Sequence, residues 1–184
     1  MKIQFANPKL NYLSKRDETL ASIQKVLNKG DYILGEQVDL FEKEFLSFIG
    51  IKGHFVSCAS GTDAITLALI ANGIKPGSKV IVPSHTATAS IASILNADCE
   101  PLFVDINEQS LLLSIRELKK LAKLKKVKAV VAVHLYGSGV DIIELKKVLR
   151  RNDVKIVEDC AQSVGTLIHG KHSGTLGDSG CFSF

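Results

Sequence analysis

The sequence has no apolar run of membrane-spanning length, and its first decapeptide, MKIQFANPKL, lacks the apolar core of a signal peptide. The expectation is therefore a cytoplasmic protein without a membrane partner. None of the four cysteines, Cys58, Cys99, Cys160 and Cys181, stands at CxxC spacing, which removes zinc-knuckle and thioredoxin-like motifs. Each lies in or beside an apolar run, where cysteine behaves as a small hydrophobe, so reduced and buried thiols are expected. The dinucleotide fingerprint GxGxxG is missing: GSGVDI from Gly137 carries Ile142 where the third glycine would stand. GTLIHGKH from Gly165 approaches a P-loop, but His172 replaces the hydroxyl residue that would hold magnesium, and no helical pattern follows. No aromatic residue interleaves the lysines of KKLAKLKKVK, residues 119–128. That stretch reads as the solvated face of a helix, and no nucleic-acid partner is expected.

What is present suits a folded α/β protein. The 184 residues are 46% hydrophobic and 23% charged, which separates the chain from disordered sequences. Residues 1–53 read as a helical segment. In SKRDETLASIQKVLNKG the apolar Leu20, Ile23 and Leu27 recur about once per turn, and Gly30 can cap the end. VDLFEKEFLSFIG repeats the pattern with Leu40, Phe41, Phe45 and Phe48, and ends at Gly50. From residue 54 to 184 strands and helices alternate. The expected strands are HFVSCAS, KVIVP, CEPLFVDI, VKAVVAVH, VKIVEDC and CFSF, with a hairpin and loop in GTLIHGKHSGTLGDSG. The middle strands are continuous Val/Ile/Ala runs, as central parallel strands are. The expected architecture is a three-layer α/β fold with a mostly parallel sheet and helices on both faces.

Function in such sheets gathers at the carboxyl ends of the strands. Ser60, Gly61 and Thr62 lie between a strand and a helix start, where free amides and the helix dipole favour an anion. Simple capping by Thr62 or Asp63 reads the same residues equally well. Glu158 and Asp159 end a hydrophobic strand, where a carboxylate needs a partner: a metal, a cationic side chain, or a protonated ring nitrogen; a capping aspartate satisfied by backbone amides is the structural alternative. His134 is the one nearby candidate for a further metal ligand, and no metal is expected. His134 and Tyr136 end another strand and are candidate substrate contacts, although a lone histidine is more often structural. A phosphate-accepting helix start beside a strand-end carboxylate suggests a phosphorylated cofactor with a nitrogen ring, and pyridoxal phosphate fits both ends.

These residues resemble the DegT/DnrJ/StrS-type sugar aminotransferases, pyridoxal-phosphate enzymes with the aspartate-aminotransferase fold. The resemblance runs from about Gly30 to Phe184, through GDYILGEQVDLFEKEF, SGTDAITLAL, GSKVIVPSHTATAS, PLFVDI, VHLYG, VEDCAQSVG and GTLGDSGCFSF. It implies that Gly61 and Thr62 bind the cofactor phosphate and that Ser183 adds a second hydroxyl. It implies that Asp159 pairs with the pyridine nitrogen and that Gln162 lies near the ring's phenolic oxygen. The implied reaction moves an amino group from glutamate to a keto group on a nucleotide-linked sugar, for polysaccharide biosynthesis. The implied assembly is a homodimer with shared active sites and GDYILG near the shared region. Two positions depart from the family. Ala87 stands where an aromatic residue usually stacks on the ring, with His85 as a substitute, and Val164 stands where many members have histidine.

The family's Schiff-base lysine follows FSF within a few residues, so it is expected just beyond Phe184 and no catalytic residue is assigned within the chain. On this reading residues 54–184 are an incomplete large domain without the C-terminal domain, and the chain by itself is unstable and inactive. In the family a later antiparallel strand separates CFSF from HFVSCAS, and without it both strands have an unpaired edge. The alternatives are a truncated, non-catalytic remnant, or part of the related sugar dehydratase in which histidine replaces that lysine.

Overall fold

The computed structural model describes residues 6–121, 123–149 and 153–184. The chain divides into two units, Met1–Phe48 with Lys52–Ser57, and Ile49–Ile51 with Cys58–Phe184. The described residues of the N-terminal part form α1 (Pro8–Ser14), α2 (Arg16–Lys29) and α3, which spans Glu36–Ile49. Gly30 ends α2 in the left-handed conformation at φ 73°, which a glycine adopts without a Cβ penalty. The phenyl rings of Phe41, Phe45, Phe48 and Phe55 cluster, with Phe45 and Phe55 centroids 4.7 Å apart. The segment read as a first strand, HFVSCAS, joins no ladder. The amide of Ser57 donates to the Glu42 carboxylate at 2.7 Å instead of to a neighbouring strand. A strand is stable only with a partner, and a side chain has taken the bond a ladder would have used.

The second unit holds the sheet. Its parallel strands are β1 (Lys79–Pro83), β2 (Glu100–Val104), β3 (Val127–Val133), β4 (Lys155–Asp159) and β7 (Ser179–Cys181), in the order β2-β1-β3-β4-β7. The short strands β5 (Leu167–Ile168) and β6 (Lys171–His172) form a separate antiparallel hairpin. The helices are α4 (Gly61–Ala71), α5 (Thr88–Asn96), α6 (Ile115–Leu121) and α7 (Ile142–Leu149). Strand side chains alternate between two cores. Val80, Val82, Val131 and Val133 pack with Ile65 and Leu69 of α4 and Ile94 of α5. Ile81, Val130, Ala132 and Ile156 pack with Leu118 of α6 and Ile142, Leu145 and Leu149 of α7. Both faces are therefore covered, which is why these strands are apolar along their whole length. The last strand is displaced from its expected place: only Cys181 of CFSF belongs to it, because the ladder to β4 runs from Val157↔Ser179 to Asp159↔Cys181 and ends.

From β1 the chain steps outward to β2, then returns across β1 to place β3 on its other side. The strand order reverses there, and open α/β sheets bind ligands in the crevice this leaves at the strands' carboxyl ends. Among the described residues no helix is long and apolar enough to cross a membrane.

Candidate functional site

At that edge the structure gathers most of the residues singled out above. Helix α4 begins at Gly61, and its cap is Ser60, not Thr62 or Asp63. The Ser60 hydroxyl accepts the Asp63 amide at 3.1 Å and donates to the Asp63 carboxylate at 3.0 Å. SGTD has the S-x-x-[DE] spacing of a capping box, but the Asp63 carboxylate takes the Ser60 hydroxyl and not the Ser60 amide. With the cap supplied by Ser60, the Thr62 hydroxyl stays clear of that task. Ser183 lies directly against Gly61: a Cβ on Gly61 would stand 3.0 Å from Ser183 Cβ and 3.3 Å from Ser183 Oγ. A side chain at residue 61 would fill the space between a helix N-terminus and a serine hydroxyl. The start of α4 and the Ser183 hydroxyl are thus next to each other, and free helix-start amides beside a hydroxyl are groups that favour an oxyanion.

Asp159 ends β4 almost fully buried. Its Oδ2 accepts the Ser90 hydroxyl at 2.7 Å, and its Oδ1 accepts the Ala161 amide at 3.2 Å. Ser90 is itself fully buried on α5 and lies 2.8 Å from the Thr86 hydroxyl. Neither Ser90 nor Thr86 stands out in the sequence, since a small polar residue within TATASIAS has no distinctive spacing. Gln162 is exposed, and its side-chain oxygen accepts the Tyr136 amide at 3.3 Å, which leaves its NH₂ group as a donor. Tyr136 is also exposed, with a left-handed backbone at φ 54°. Its hydroxyl lies 3.4 Å from His85 Nε2, and the ring centroids are 6.1 Å apart. His85 and Tyr136 thus meet across the crevice between β1 and β3. Ala87 is exposed just before α5.

His134 follows β3 at this edge, its amide donating to the Asp159 carbonyl at 3.0 Å, but its side chain is not exposed there. It is buried, its Nδ1 accepts the Val140 amide at 2.9 Å, and its Nε2 lies 2.9 Å from Glu158 Oε2. Because Nδ1 accepts, Nε2 carries the proton and donates to Glu158. Glu158 also accepts the amides of Gly174, Leu176 and Gly177. Burial pushes its carboxyl upward, but the His134 bond and the Gly177 and Gly174 amides outweigh burial and hold it below the usual carboxylate range. Among the described residues His134, Glu158 and Cys160 bring possible metal-ligand atoms within 4.8 Å of one another. The histidine and carboxylate atoms are already engaged by protein groups. Burial raises the Cys160 thiol well above its ordinary value, so it stays protonated. The cluster is a buried clasp that joins the ends of β3 and β4 to the loop leading into β7.

The donor set fits pyridoxal phosphate. Helix-start amides at Gly61 beside the Ser183 hydroxyl, and a buried carboxylate at Asp159, answer a phosphate and a protonated ring nitrogen. The comparisons with known proteins agree. A UDP-N-acetyl-3-dehydro-alpha-D-glucosamine 3-aminotransferase of Acidithiobacillus ferrooxidans is 37% identical over 182 residues, 99% of this chain and 49% of that protein. The crystal structure of a DegT DnrJ EryC1 StrS aminotransferase from Brucella abortus matches with a TM-score of 0.92 at 32% identity, covering all of this chain and 50% of that one. An E. coli GDP-4-keto-6-deoxy-D-mannose-3-dehydratase with bound hydrated PLP matches with a TM-score of 0.78 at 29% identity, covering 86% of this chain and 42% of that one. The chain spans about half the length of the curated relatives it matches. The sequence matches the family described as DegT/DnrJ/EryC1/StrS aminotransferases over residues 14–184, nearly its whole length, and the chain belongs to that family.

Proposed function

We propose that this chain is the cofactor-binding part of a pyridoxal 5′-phosphate-dependent sugar aminotransferase, which moves an amino group from glutamate to a keto carbon of a nucleotide-linked sugar. The observation that carries the reading is the placement of Ser183 relative to Asp159. Asp159 faces Cys181 in the β4–β7 ladder, and Ser183 follows two residues later, against Gly61. Neighbouring strands are about 4.8 Å apart and two residues past the end of β7 reach at most about 7 Å, so the two Cα atoms lie within roughly 12 Å of each other. A pyridine ring with a phosphate arm spans a gap of that size.

The bound cofactor would supply an electron sink at its ring nitrogen. The residues of this chain do the holding. The amides of Gly61 and Thr62 and the hydroxyls of Thr62 and Ser183 bind the phosphate dianion at the helix dipole. Asp159 accepts the proton-bearing ring nitrogen and keeps that proton in place. Gln162, its oxygen already occupied by the Tyr136 amide, donates its NH₂ to the ring oxygen. His85 and Ala87 border the ring face, and Tyr136, exposed beside His85, is the substrate contact on this edge. The identity to an aminotransferase over nearly the whole chain favours amino transfer over the dehydratase reading, whose match is lower.

The same reading makes the working assembly a homodimer. Tyr32, Ile33 and Leu34 in the GDYILG loop are exposed apolar side chains, suited to a second copy. Cys58 is exposed, against the expectation of four buried thiols, because its segment joins no ladder; Cys99, Cys160 and Cys181 are buried and free, which suits a reducing cytoplasm.

Pyridoxamine 5′-phosphate, which binds without a lysine, tests the cofactor site by calorimetric titration of the chain. One saturable site is expected, with an affinity well above that of inorganic phosphate. Equal affinities for the two ligands would overturn the reading.

A further inference from the structure

We propose that Thr86 and Ser90 form a two-hydroxyl relay that aims the Asp159 carboxylate at the cofactor ring nitrogen, which makes them positioning residues of the site. The inference rests on the cofactor reading given above. It starts from a question of hydrogen-bond direction. Ser90 Oγ donates to Asp159 Oδ2 at 2.7 Å, so its one proton is committed. Thr86 Oγ1 lies 2.8 Å from Ser90 Oγ, and with that proton already used, Thr86 must be the donor. The protons therefore run in one direction, from Thr86 to Ser90 to the carboxylate. Bonds ordered head to tail in this way polarise and strengthen one another.

The relay is matched to a carboxylate that only accepts. Ser90 is fully buried and Asp159 nearly so, while Thr86 is half-buried beside the exposed edge. Oδ2 is held by Ser90 and Oδ1 by the Ala161 amide, one from each side. A carboxylate held at both oxygens has a restricted orientation, and its remaining lone pairs are the ones left for a ligand. Ser90 could have bonded a helix carbonyl, as Ser93 does with the carbonyl of Ser90. It reaches across to another element instead.

The test uses Thr86→Val, which keeps the side-chain shape and removes the first donor, together with Ser90→Ala and Asp159→Asn. Calorimetry reads the affinity for pyridoxamine 5′-phosphate and for inorganic phosphate across pH 6–10. Ser90→Ala is expected to weaken the pyridoxamine ligand about tenfold and Thr86→Val about threefold, as fits loss of a charge-assisted bond and of its support. Phosphate binding should stay unchanged in both. The alkaline limb of the pyridoxamine profile, where the ring nitrogen loses its proton, should move to lower pH in both variants. A loss of phosphate affinity as large as the pyridoxamine loss would mean general damage to the site and would overturn the relay. So would unchanged pyridoxamine affinity in Thr86→Val and Ser90→Ala while Asp159→Asn binds weakly, although the cofactor reading would then stand. Unchanged affinity in Asp159→Asn would overturn both. Should Ser90→Ala fail to fold, the half-buried Thr86→Val decides the matter alone.

Discussion

Replacing Glu158 with glutamine should unfold this chain more readily than any change at the exposed edge. The carboxylate has no solvent exposure and accepts four donors. Oε1 takes the amides of Leu176 and Gly177, and Oε2 takes His134 Nε2 and the Gly174 amide. Whichever way a glutamine side chain turns, its NH₂ group meets two N–H donors and two bonds are lost. Bonds to a charged acceptor are worth about 1.5–3 kcal/mol each, and breaking a buried charged network costs about 3–5 kcal/mol. We expect a loss near ~4 kcal/mol. With a urea slope of about 2 kcal/mol/M, the unfolding midpoint should fall by roughly 2 M. The effect should also depend on pH. The folded-state carboxyl lies below its ordinary value, so its stabilisation is complete above the unfolded value of about 4.3 and is lost as pH falls through the folded one. Urea titrations of both proteins at pH 7 and pH 3 provide the assay, and the difference should shrink at the lower pH. A difference under about 1 kcal/mol, or one that is the same at both pH values, would refute the reasoning.

Three further outcomes follow from the geometry. Gly61→Ala should leave folding within about 1 kcal/mol, since alanine favours helix, yet reduce pyridoxamine phosphate affinity about tenfold by crowding Ser183; unfolding and calorimetry measured together check the split. Gly174→Ala should destabilise the chain by about 2–4 kcal/mol. Its φ is +83° and the added Cβ would meet the Phe182 ring at 2.5 Å and Cys160 Sγ at 3.0 Å; a urea midpoint equal to that of the parent would contradict the close packing. In a thiol-reagent time course at pH 8, the exposed Cys58 should react first. Cys181, pushed up to about 12 by burial and then by the charge of Asp159, should react only after denaturant is added. Retention of the fast phase in Cys58→Ser would assign it to a buried thiol.

The elements that could be read from sequence are those whose character does not depend on a distant partner. Val80–Val82 and Val130–Val133 are apolar on both sides, and such runs declare central strands wherever they lie. The positions of Gly61 at a helix start and Asp159 at a strand end could be read as well, because each follows from a local pattern. HFVSCAS misled because an edge segment takes its structure from what pairs with it, and Ser57 found Glu42. His134 looked like an active-edge residue by position, yet its burial depends on Glu158 and Val140, which lie outside any local window. Ser90 escaped notice for the converse reason. It is an ordinary helix serine until the fold brings Asp159 to 2.7 Å.

The most direct test of the whole account is a crystal structure of the chain with pyridoxamine 5′-phosphate. The account predicts the ring nitrogen within about 3 Å of the Asp159 carboxylate, and the phosphate between the Gly61 and Thr62 amides and the Ser183 hydroxyl of the same chain. Phosphate in that position with the ring turned away from Asp159, or a ligand bound elsewhere on the sheet, would contradict it.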